Sequence, residues 1–292
     1  SRFVFSRDAF RVEPIGEGSN NTIYLLSGAY KKVIVKLSKA DAEHRALDDY
    51  KKEQWCFAKA HELGIPSPSV LALGEEDGRA YSIQTFVEGQ PVAKLDDSSA
   101  FSKEVYVGVW KKLGEYARKI HSVSAKEAEK NLGSDGIAKG SWKKHIQYNI
   151  DSLKQDDPLL KLGVLTEQQS EKIKAAFQGL KDKKFIFGLS HGDLALRNTI
   201  KDSHSTTFLL DWGSARVDVV PHFDFNEILT ASKPDEESLR AFLDGYKISR
   251  ESFDEMKQGL VILDLLHKID TLRWAIDKKP QEIPEYVARA KS

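Results

Sequence analysis

The chain has 292 residues, of which 40% are hydrophobic and 30% charged, the composition of an ordinary soluble globular protein. Forty-four basic side chains balance 44 acidic ones, so no overall field favours nucleic acid or an acidic membrane surface as a partner. The single cysteine, Cys56, excludes an intramolecular disulfide framework. No apolar run approaches the ~20 residues of a membrane span, and no signal-peptide core is present. We therefore expect a cytoplasmic monomer.

Three short strands are predicted near the N-terminus, at 10–15, 22–27 and 32–37. The Gly-rich turn GEGSNN joins the first two strands, and its backbone N–H groups can lie over phosphates because glycine permits close approach. Alternation along the third strand puts Ile34 and Lys36 on one face. A lysine there is costly to bury unless an anionic group meets it, either nucleotide phosphates or a glutamate of the next helix.

That next helix is predicted over 41–63. Its apolar stripe comprises Leu47, Tyr50, Phe57 and Ala58. Glu53 falls at the edge of this stripe and can point inward, whereas Glu43 is expected to be solvated. The helix stops at Gly64 before the Pro-containing segment IPSPS, and a hairpin follows, with strands at 70–73 and 79–87.

The stretch from 190 to 215, SHGDLALRNTIKDSHSTTFLLDWGSA, organises the rest of the chain. Its middle reads as strand, polar turn, strand. Such a hairpin brings together Asn198 and Asp211, which flank it, and Asp193 lies one loop away. Two carboxylates and an amide at one end of a hairpin make a hard-oxygen site suited to Mg²⁺.

The remainder is mainly helical. Helices are predicted at 102–122, 142–153, 167–180, 236–246, 253–276 and 284–290. His121, near the end of the first of these, is expected to be a packed residue rather than a ligand. Eleven acidic residues face five basic ones from 218 to 264. This segment is either an acidic cleft for a cationic acceptor or a set of solvated helix faces.

The order of the motifs resembles the aminoglycoside phosphotransferase and choline kinase family. His-Gly-Asp is followed by Asn198 five positions after Asp193, and then by Asp211 before Trp-Gly. The resemblance implies an α+β, bilobal, protein-kinase-like fold. It places a small antiparallel-sheet lobe with the hinge at 1–88 and a larger, mainly helical lobe at 89–292. A variable helical insert would occupy about 124–184.

The resemblance also implies roles for individual residues. Asp193 would orient the acceptor hydroxyl and take its proton, while Asn198 and Asp211 would hold Mg²⁺. Asp224 would brace the catalytic loop. The residues implied in nucleotide binding are Gly16, Gly18 and Ser19 at the phosphates, Lys36 paired with Glu53, Ile23 and Ile34 over the adenine, Gln84 as gatekeeper, and the Thr85 carbonyl and Val87 N–H at the hinge.

These expectations describe a kinase that transfers the γ-phosphate of ATP or GTP to a hydroxyl of a small molecule. An aminoglycoside-type acceptor is the first choice, and the turn before Trp142 resembles the hygromycin-type branch. Two alternatives stay open. One is a metabolite kinase acting on choline, homoserine or a similar alcohol, and the other is a catalytically silent nucleotide-binding protein. A protein kinase is disfavoured because HGD replaces HRD and no Ala-Pro-Glu follows.

Overall fold

The computed structural model describes residues 10–17, 21–39, 46–92, 101–132 and 142–291, without the side chains of 289–291. The strands are β1 Arg11–Glu17, β2 Asn21–Ser27, β3 Lys32–Ser38, β4 Val70–Glu76, β5 Arg79–Thr85, β6 Gln90–Pro91, β7 Ile186–Ser190, β8 Thr199–Lys201, β9 Thr207–Leu209 and β10 Arg216–Val220. The helices are α1 Ala46–Glu62, α2 Lys103–Ile120, α3 Ala125–Leu132, α4 Trp142–Ser152, α5 Pro158–Lys161, α6 Glu167–Lys181, α7 His222–Glu227, α8 Glu236–Tyr246, α9 Arg250–Lys278 and α10 Ile283–Lys291.

The N-terminal part is a five-stranded sheet in the order β1-β2-β3-β5-β4, with every neighbouring pair antiparallel. Helix α1 packs on β4 and β5. Lys36 on β3 pairs with Ser82 on β5, and Ile34 pairs with Gln84. Because side chains alternate along a strand, these four residues share one face of the sheet. We call the sheet with α1 the N-lobe.

The C-terminal part is mainly helical, and we call it the C-lobe. Helices α2 and α8 pack closely against each other along its main core, in which Trp110 and Phe242 are buried. A second core joins α4, α6 and α9, where Phe177 and Leu266 are buried. No helix among the described residues has the length and apolar character needed to cross a membrane.

Two small β ladders carry the residues of the central motif. Strand β7 pairs with β10, and the loop that follows β7 contains Asp193. Strands β8 and β9 form the predicted hairpin, and β6 adds to its edge. The hairpin closes as expected, because Leu210 N–H donates to the Asn198 carbonyl at 2.8 Å. It therefore brings the backbone at its two flanking positions together.

The bilobal α+β architecture is confirmed, and most predicted elements form within a few residues of their expected bounds. The boundary between lobes at 88/89 stays a prediction. One expectation about α1 is wrong: Ala58 is exposed, whereas Cys56 and Ala60 are fully buried. The buried stripe follows residues that meet β4 and β5, and Ala58 is small enough to be tolerated on the solvent side. Glu43 lies outside the described residues.

Candidate active site

Lys36 and Glu53 form a buried ion pair between β3 and α1. The Lys36 Nζ lies 2.6 Å from the Glu53 Oε1, and the two side chains are 10% and 2% exposed. The other Glu53 oxygen accepts a hydrogen bond from Gln84 Nε2 at 2.8 Å. A buried charge is tolerated when it is paired and hydrogen-bonded, and Glu53 meets both conditions. The inward-pointing position expected for Glu53 is therefore found.

Lys36 also reaches across to the C-lobe. Its Nζ lies 3.1 Å from the Asp211 Oδ1. Burial by itself would lower the pKa of Lys36, but the carboxylates of Glu53 and Asp211 outweigh it and raise the pKa. Burial would likewise raise the pKa of Asp211, yet the Lys36 charge holds it below its usual value. Both groups are thus charged at neutral pH, and Asp211 remains half exposed to the cleft.

The loop after β7 brings Asp193 and Asn198 into contact. Asn198 Nδ2 donates to the Asp193 Oδ2 and to its carbonyl, both at 2.8 Å. The Asn198 side-chain oxygen accepts no hydrogen bond from the described part of the chain. Arg197 forms an ion pair with the other Asp193 oxygen, Oδ1. The amide orientation of Asn198 thus leaves an oxygen for a cation, while Asp193 is held from two sides.

The His191 side chain fixes the loop that contains Asp193. Its ring is fully buried, and burial lowers its pKa, so the imidazole is neutral. Nε2 donates to the Leu210 carbonyl at 3.0 Å, and Nδ1 accepts from the Asp193 N–H at 3.3 Å. The ring also packs against the buried Trp212 indole, with 4.6 Å between the ring centroids. One side chain therefore ties the Asp193 backbone to the strand end that precedes Asp211.

Asp224 on α7 braces the same loop. It accepts from Ser190 Oγ and from the backbone N–H groups of His191 and Gly192, at 2.8–2.9 Å. His121 at the end of α2 contributes a fourth contact at 2.9 Å. Burial would raise the pKa of Asp224, but these hydrogen bonds and the charge of His121 lower it to about 2. Asp224 thus lies where the resemblance implied a brace for the loop, and His121 is a packed residue.

The other predicted site residues that the structure describes lie on the N-lobe sheet or directly beside it. Ile23 lies directly across from Lys36 on β2, and both Ile23 and Ile34 are half-buried. Thr85 ends β5, and Val87 lies in the segment that leaves the sheet. Gly16 lies at a register shift between β1 and β2. Gly18 and Ser19 lie outside the described residues.

The donor set fits a magnesium ion shared with phosphate. No three His, Cys, Asp or Glu side chains cluster for metal binding in the described ranges. Asp211 and Asn198 instead offer one carboxylate and one amide oxygen. Magnesium commonly takes one or two protein ligands and fills its octahedron with water and substrate phosphates. The residues present therefore suit Mg²⁺ bound together with a nucleotide.

A cavity of about 460 Å³ opens in the C-lobe between β10, α4, α7 and α9. Its charged lining residues are Arg216, Asp218, Asp264 and Asp270. Each carboxylate already has a partner: Asp218 meets Arg216, Asp264 accepts from Asn226, and Asp270 accepts from His145 and Asn149. Trp274 and Phe223 contribute aromatic surface. The lining is thus mixed in charge and partly aromatic.

Most of the acidic segment from 218 to 264 lies elsewhere. Glu237 pairs with Lys103, and Asp254 pairs with Arg250 and Lys257, all at exposed positions. Solvated helix faces therefore account for these carboxylates. Of the acidic side chains in this segment, only Asp218 and Asp264 are among the residues that line the cavity.

Sequence reasoning missed two features of the site. The contact between Gln84 and Glu53 depends on the distance between a strand and a helix, which no local pattern reveals. Glu227 lies three residues after Asp224 on α7, so it faces the same side of the helix. Burial raises the pKa of Glu227, and the charges of Asp193 and Asp224 add to this effect. Helical spacing from Asp224 was the signal that would have identified it.

The chain matches a known family over most of its length. The family model described as the phosphotransferase enzyme family matches residues 11–257. The GDP and kanamycin complex of APH(2")-IIIa is 16% identical and has a TM-score of 0.69, covering 96% of this chain and 92% of that one.

Two other solved structures are comparably similar. The streptomycin–ATP complex of APH(2")-IIa is 17% identical with a TM-score of 0.63, covering 97% of this chain and 92% of that one. The macrolide 2'-phosphotransferase MphH from Brachybacterium faecium is 15% identical with a TM-score of 0.64, covering 98% and 92%. Curated protein sequences give no significant match. The resemblance seen in the motifs is confirmed: the chain belongs to the phosphotransferase enzyme family and has a kinase-like fold.

Proposed function

We propose that this protein transfers the γ-phosphate of a nucleoside triphosphate to a hydroxyl of a small molecule. One observation carries the proposal: Lys36 joins Glu53 of the N-lobe to Asp211 of the C-lobe, at 2.6 and 3.1 Å. A cation held between two lobes, with a half-exposed carboxylate beside it, is suited to a Mg²⁺–triphosphate. The purine then lies under Ile23 and Ile34, beside the segment that follows β5.

The chain's own groups suffice for an in-line transfer. Asp193 orients the acceptor hydroxyl and receives its proton as the oxygen–phosphorus bond forms and the bond to the β-phosphate oxygen breaks. Lys36 neutralises phosphate charge and keeps the nucleotide in register. Mg²⁺ held by Asp211 and Asn198 would supply further charge neutralisation. Asp224 and His191 hold the backbone of the loop, so the position of Asp193 is set before the acceptor binds.

For the acceptor, we propose an aminoglycoside-type antibiotic. The support is that solved structures with the same fold are complexes that contain kanamycin, gentamicin or streptomycin. We propose the C-lobe cavity as the acceptor site, since Arg216 at its end pairs with Ser190 in the ladder that leads to Asp193. A hygromycin-type acceptor and a metabolite alcohol such as choline or homoserine are the alternatives to compare with it.

The deciding experiment separates the base from the metal ligand. Asp193→Ala is expected to lower turnover by roughly 10²–10⁴-fold. Its affinity for Mg-ATP should change little, because Lys36, Asn198 and Asp211 remain. Asp211→Ala should weaken Mg-ATP binding as well as turnover. Isothermal titration with and without magnesium, together with a coupled assay for nucleotide consumption, measures both effects.

The matched control is Asp254→Ala, which removes an exposed carboxylate on α9 that pairs with Arg250 and Lys257 rather than with any residue of the proposed site. It should leave turnover and Mg-ATP affinity unchanged. Loss of magnesium-dependent binding in Asp193→Ala to the same degree as in Asp211→Ala would make Asp193 a metal ligand. Nucleotide consumption measured across aminoglycosides and metabolite alcohols assigns the acceptor. If the protein binds Mg-ATP but no acceptor in the panel leads to nucleotide consumption, the result favours the silent nucleotide-binding alternative.

A further inference from the structure

One wall of the C-lobe cavity is a row of side chains along helix α9. The row, which we call the α9 row, lines the cavity and comprises Asp264, His267, Thr271 and Trp274. These residues are three or four positions apart, so they share one face of the helix. A different face of α9 supplies Ile269 and Leu272 to the second core of the C-lobe. The α9 row therefore faces the cavity, while the core holds the helix in place.

This wall lies beyond the part of the chain that the family model matches. The match ends at residue 257, and the α9 row begins at Asp264. The acceptors of the solved relatives therefore say little about what this wall binds. Its chemistry follows from the contacts that its own side chains make and leave unmade.

Each oxygen of the three cavity carboxylates already has a partner within the protein. The carboxylates are Asp218, Asp264 and Asp270, and their partners are, in that order, Arg216 and the Val219 N–H, Asn226 and Lys268, and His145 and Asn149. An ammonium group of an acceptor would have to share or displace these partners. The cavity is thus poorly suited to hold an acceptor by its positive charges.

The His267 imidazole and the Thr271 hydroxyl are polar groups of the row that remain available. Neither has a hydrogen-bond partner in the described part of the chain. The His267 ring is held by an edge contact with Phe223, with 5.2 Å between the centroids. Burial lowers the pKa of His267 to about 4, so the ring is neutral at pH 7. A neutral imidazole has one donor and one acceptor nitrogen, which match the donor and acceptor of a hydroxyl, whereas an ammonium group only donates.

We propose that the α9 row recognises the acceptor as an uncharged, hydroxyl-bearing ring, such as a sugar or cyclitol ring. The inference rests on the proposed function, in which this cavity is the acceptor site. Ring hydroxyls exchange hydrogen bonds with His267 and Thr271. The apolar face of the ring packs against the half-exposed Trp274 indole. A cavity of about 460 Å³ has room for a ring of this kind.

The experiment measures nucleotide consumption by the full chain at saturating Mg-ATP with kanamycin, hygromycin B, myo-inositol, choline and homoserine. The first three present rings that carry hydroxyls, whereas choline and homoserine are charged and acyclic. We expect the best ring compound to have a kcat/KM at least about 10-fold above that of either acyclic alcohol. Its KM should change less than about threefold between about 0.05 and 0.5 M KCl, because no exposed charge pair contributes to its binding.

Two variants separate hydroxyl recognition from charge recognition. His267→Phe keeps the contact with Phe223 and removes both ring nitrogens. It should raise the KM of the best ring compound about 10-fold or more, with kcat and the KM for Mg-ATP within about twofold of wild type. Asp264→Asn removes a charge but keeps an oxygen to accept from Asn226. Its effect on the acceptor KM should be smaller, less than about threefold.

His204→Phe is the matched control, since it makes the same substitution at an exposed histidine in the β8–β9 turn. It should leave both KM values unchanged. A higher kcat/KM for choline or homoserine, an acceptor KM that rises steeply with salt, or an unchanged acceptor KM in His267→Phe would overturn this inference while leaving phosphoryl transfer intact. Consumption of Mg-ATP with none of the acceptors would instead overturn the proposed function, and this inference with it.

Discussion

Lys36 is the residue on which the two lobes of the site converge. It contacts Glu53 from the N-lobe and Asp211 from the C-lobe, and no other lysine of the described chain is as deeply buried. Removing one partner of a buried ion pair leaves the other charge uncompensated, which commonly costs about 3–5 kcal/mol. Changes at Lys36 or Glu53 should therefore affect both stability and activity.

We expect Lys36→Ala and Glu53→Ala to be strongly non-additive. Each variant should lower kcat/KM by roughly 100-fold or more, since each destroys the same arrangement. The double variant should lose no more than about threefold beyond the worse single variant. Steady-state kinetics of the four proteins of the cycle measures the coupling.

The control pair for this cycle is Lys32 and Glu88, which are 2.9 Å apart at exposed positions near the same sheet. Exposed ion pairs contribute about 0–1 kcal/mol, so both single changes should be nearly silent. Independent, multiplying losses at Lys36 and Glu53 would show that their contact does not matter to activity. Such a result would make a residue outside the described range, such as Glu43, the next candidate partner.

At the scale of elements, helix α2 connects the main core of the C-lobe to the residues around the site. Its Tyr116 hydroxyl donates to the Thr207 carbonyl of β9 at 2.7 Å, and His121 at its end contacts Asp224. Helices α2 and α8 can approach each other closely because each has a glycine where they cross, Gly114 on α2 and Gly245 on α8. A Cβ on Gly114 would lie less than 3.0 Å from the Phe242 carbonyl oxygen, and one on Gly245 would meet the Lys111 carbonyl equally closely. The crossing therefore requires glycine for space.

Gly114→Ala should consequently destabilise the protein by about 2–4 kcal/mol, because backbone must move to admit the methyl group. The control lies on the same helix: Gly108 is exposed, and a methyl group added there would have no atom within 4 Å. Gly108→Ala should be neutral or stabilise by about 0.5–1 kcal/mol through helix propensity. Urea denaturation followed by circular dichroism compares the two. Equal effects of the two substitutions would mean that α2 and α8 are not in close contact.

At the scale of the whole molecule, two half-buried histidines, His222 and His267, tie stability to pH. Burial lowers the pKa of His267 to about 4, with Arg216 adding to the effect, and burial also lowers the pKa of His222 to about 4. Free histidine titrates near pH 6.5. Between about pH 6.5 and 4 the unfolded chain therefore binds more protons at these sites than the folded one. Each histidine thus contributes a loss of stability as the pH falls through that window.

His267→Gln should remove one of these contributions. The free energy of unfolding should fall less between pH 7 and pH 5 than in the wild type, by an amount on the order of 1 kcal/mol per pH unit. His191, whose pKa burial also lowers, acts in the same direction, whereas Asp218, whose pKa burial raises, opposes it. His191 and Asp218 both remain in the variant. The difference in pH dependence between the variant and the wild type therefore reports His267 alone.

His204, in the β8–β9 turn, has a side chain that is 88% exposed, and His204→Gln provides the control for this measurement. It should leave the pH dependence of unfolding as it is in the wild type. An unchanged slope in His267→Gln, measured by urea denaturation at each pH, would contradict a lowered pKa for His267 in the folded protein.

Local sequence determined much of the site. The polar turn between two short apolar runs was enough to predict the β8–β9 hairpin, because turn chemistry and strand alternation act over a few residues. The same alternation placed Ile34 and Lys36 on one face, and the cost of burying a lysine predicted an anionic partner. The place of Glu53 beside the apolar stripe of α1 allowed it to point inward, the family resemblance paired it with Lys36, and the structure brings the two together.

Tertiary structure alone decided the contacts that hold the site in place. Strand β10 pairs with β7 across the intervening segment 191–215, and no local pattern identifies such a partner. His121 meets Asp224 across 103 positions of sequence, and Gln84 meets Glu53 across 31. These contacts depend on how a helix packs against a sheet or against another helix. The sequence predicted candidate residues for the chemistry, whereas packing between distant elements decided what fixes Asp193, Glu53 and the Gln84 amide in position.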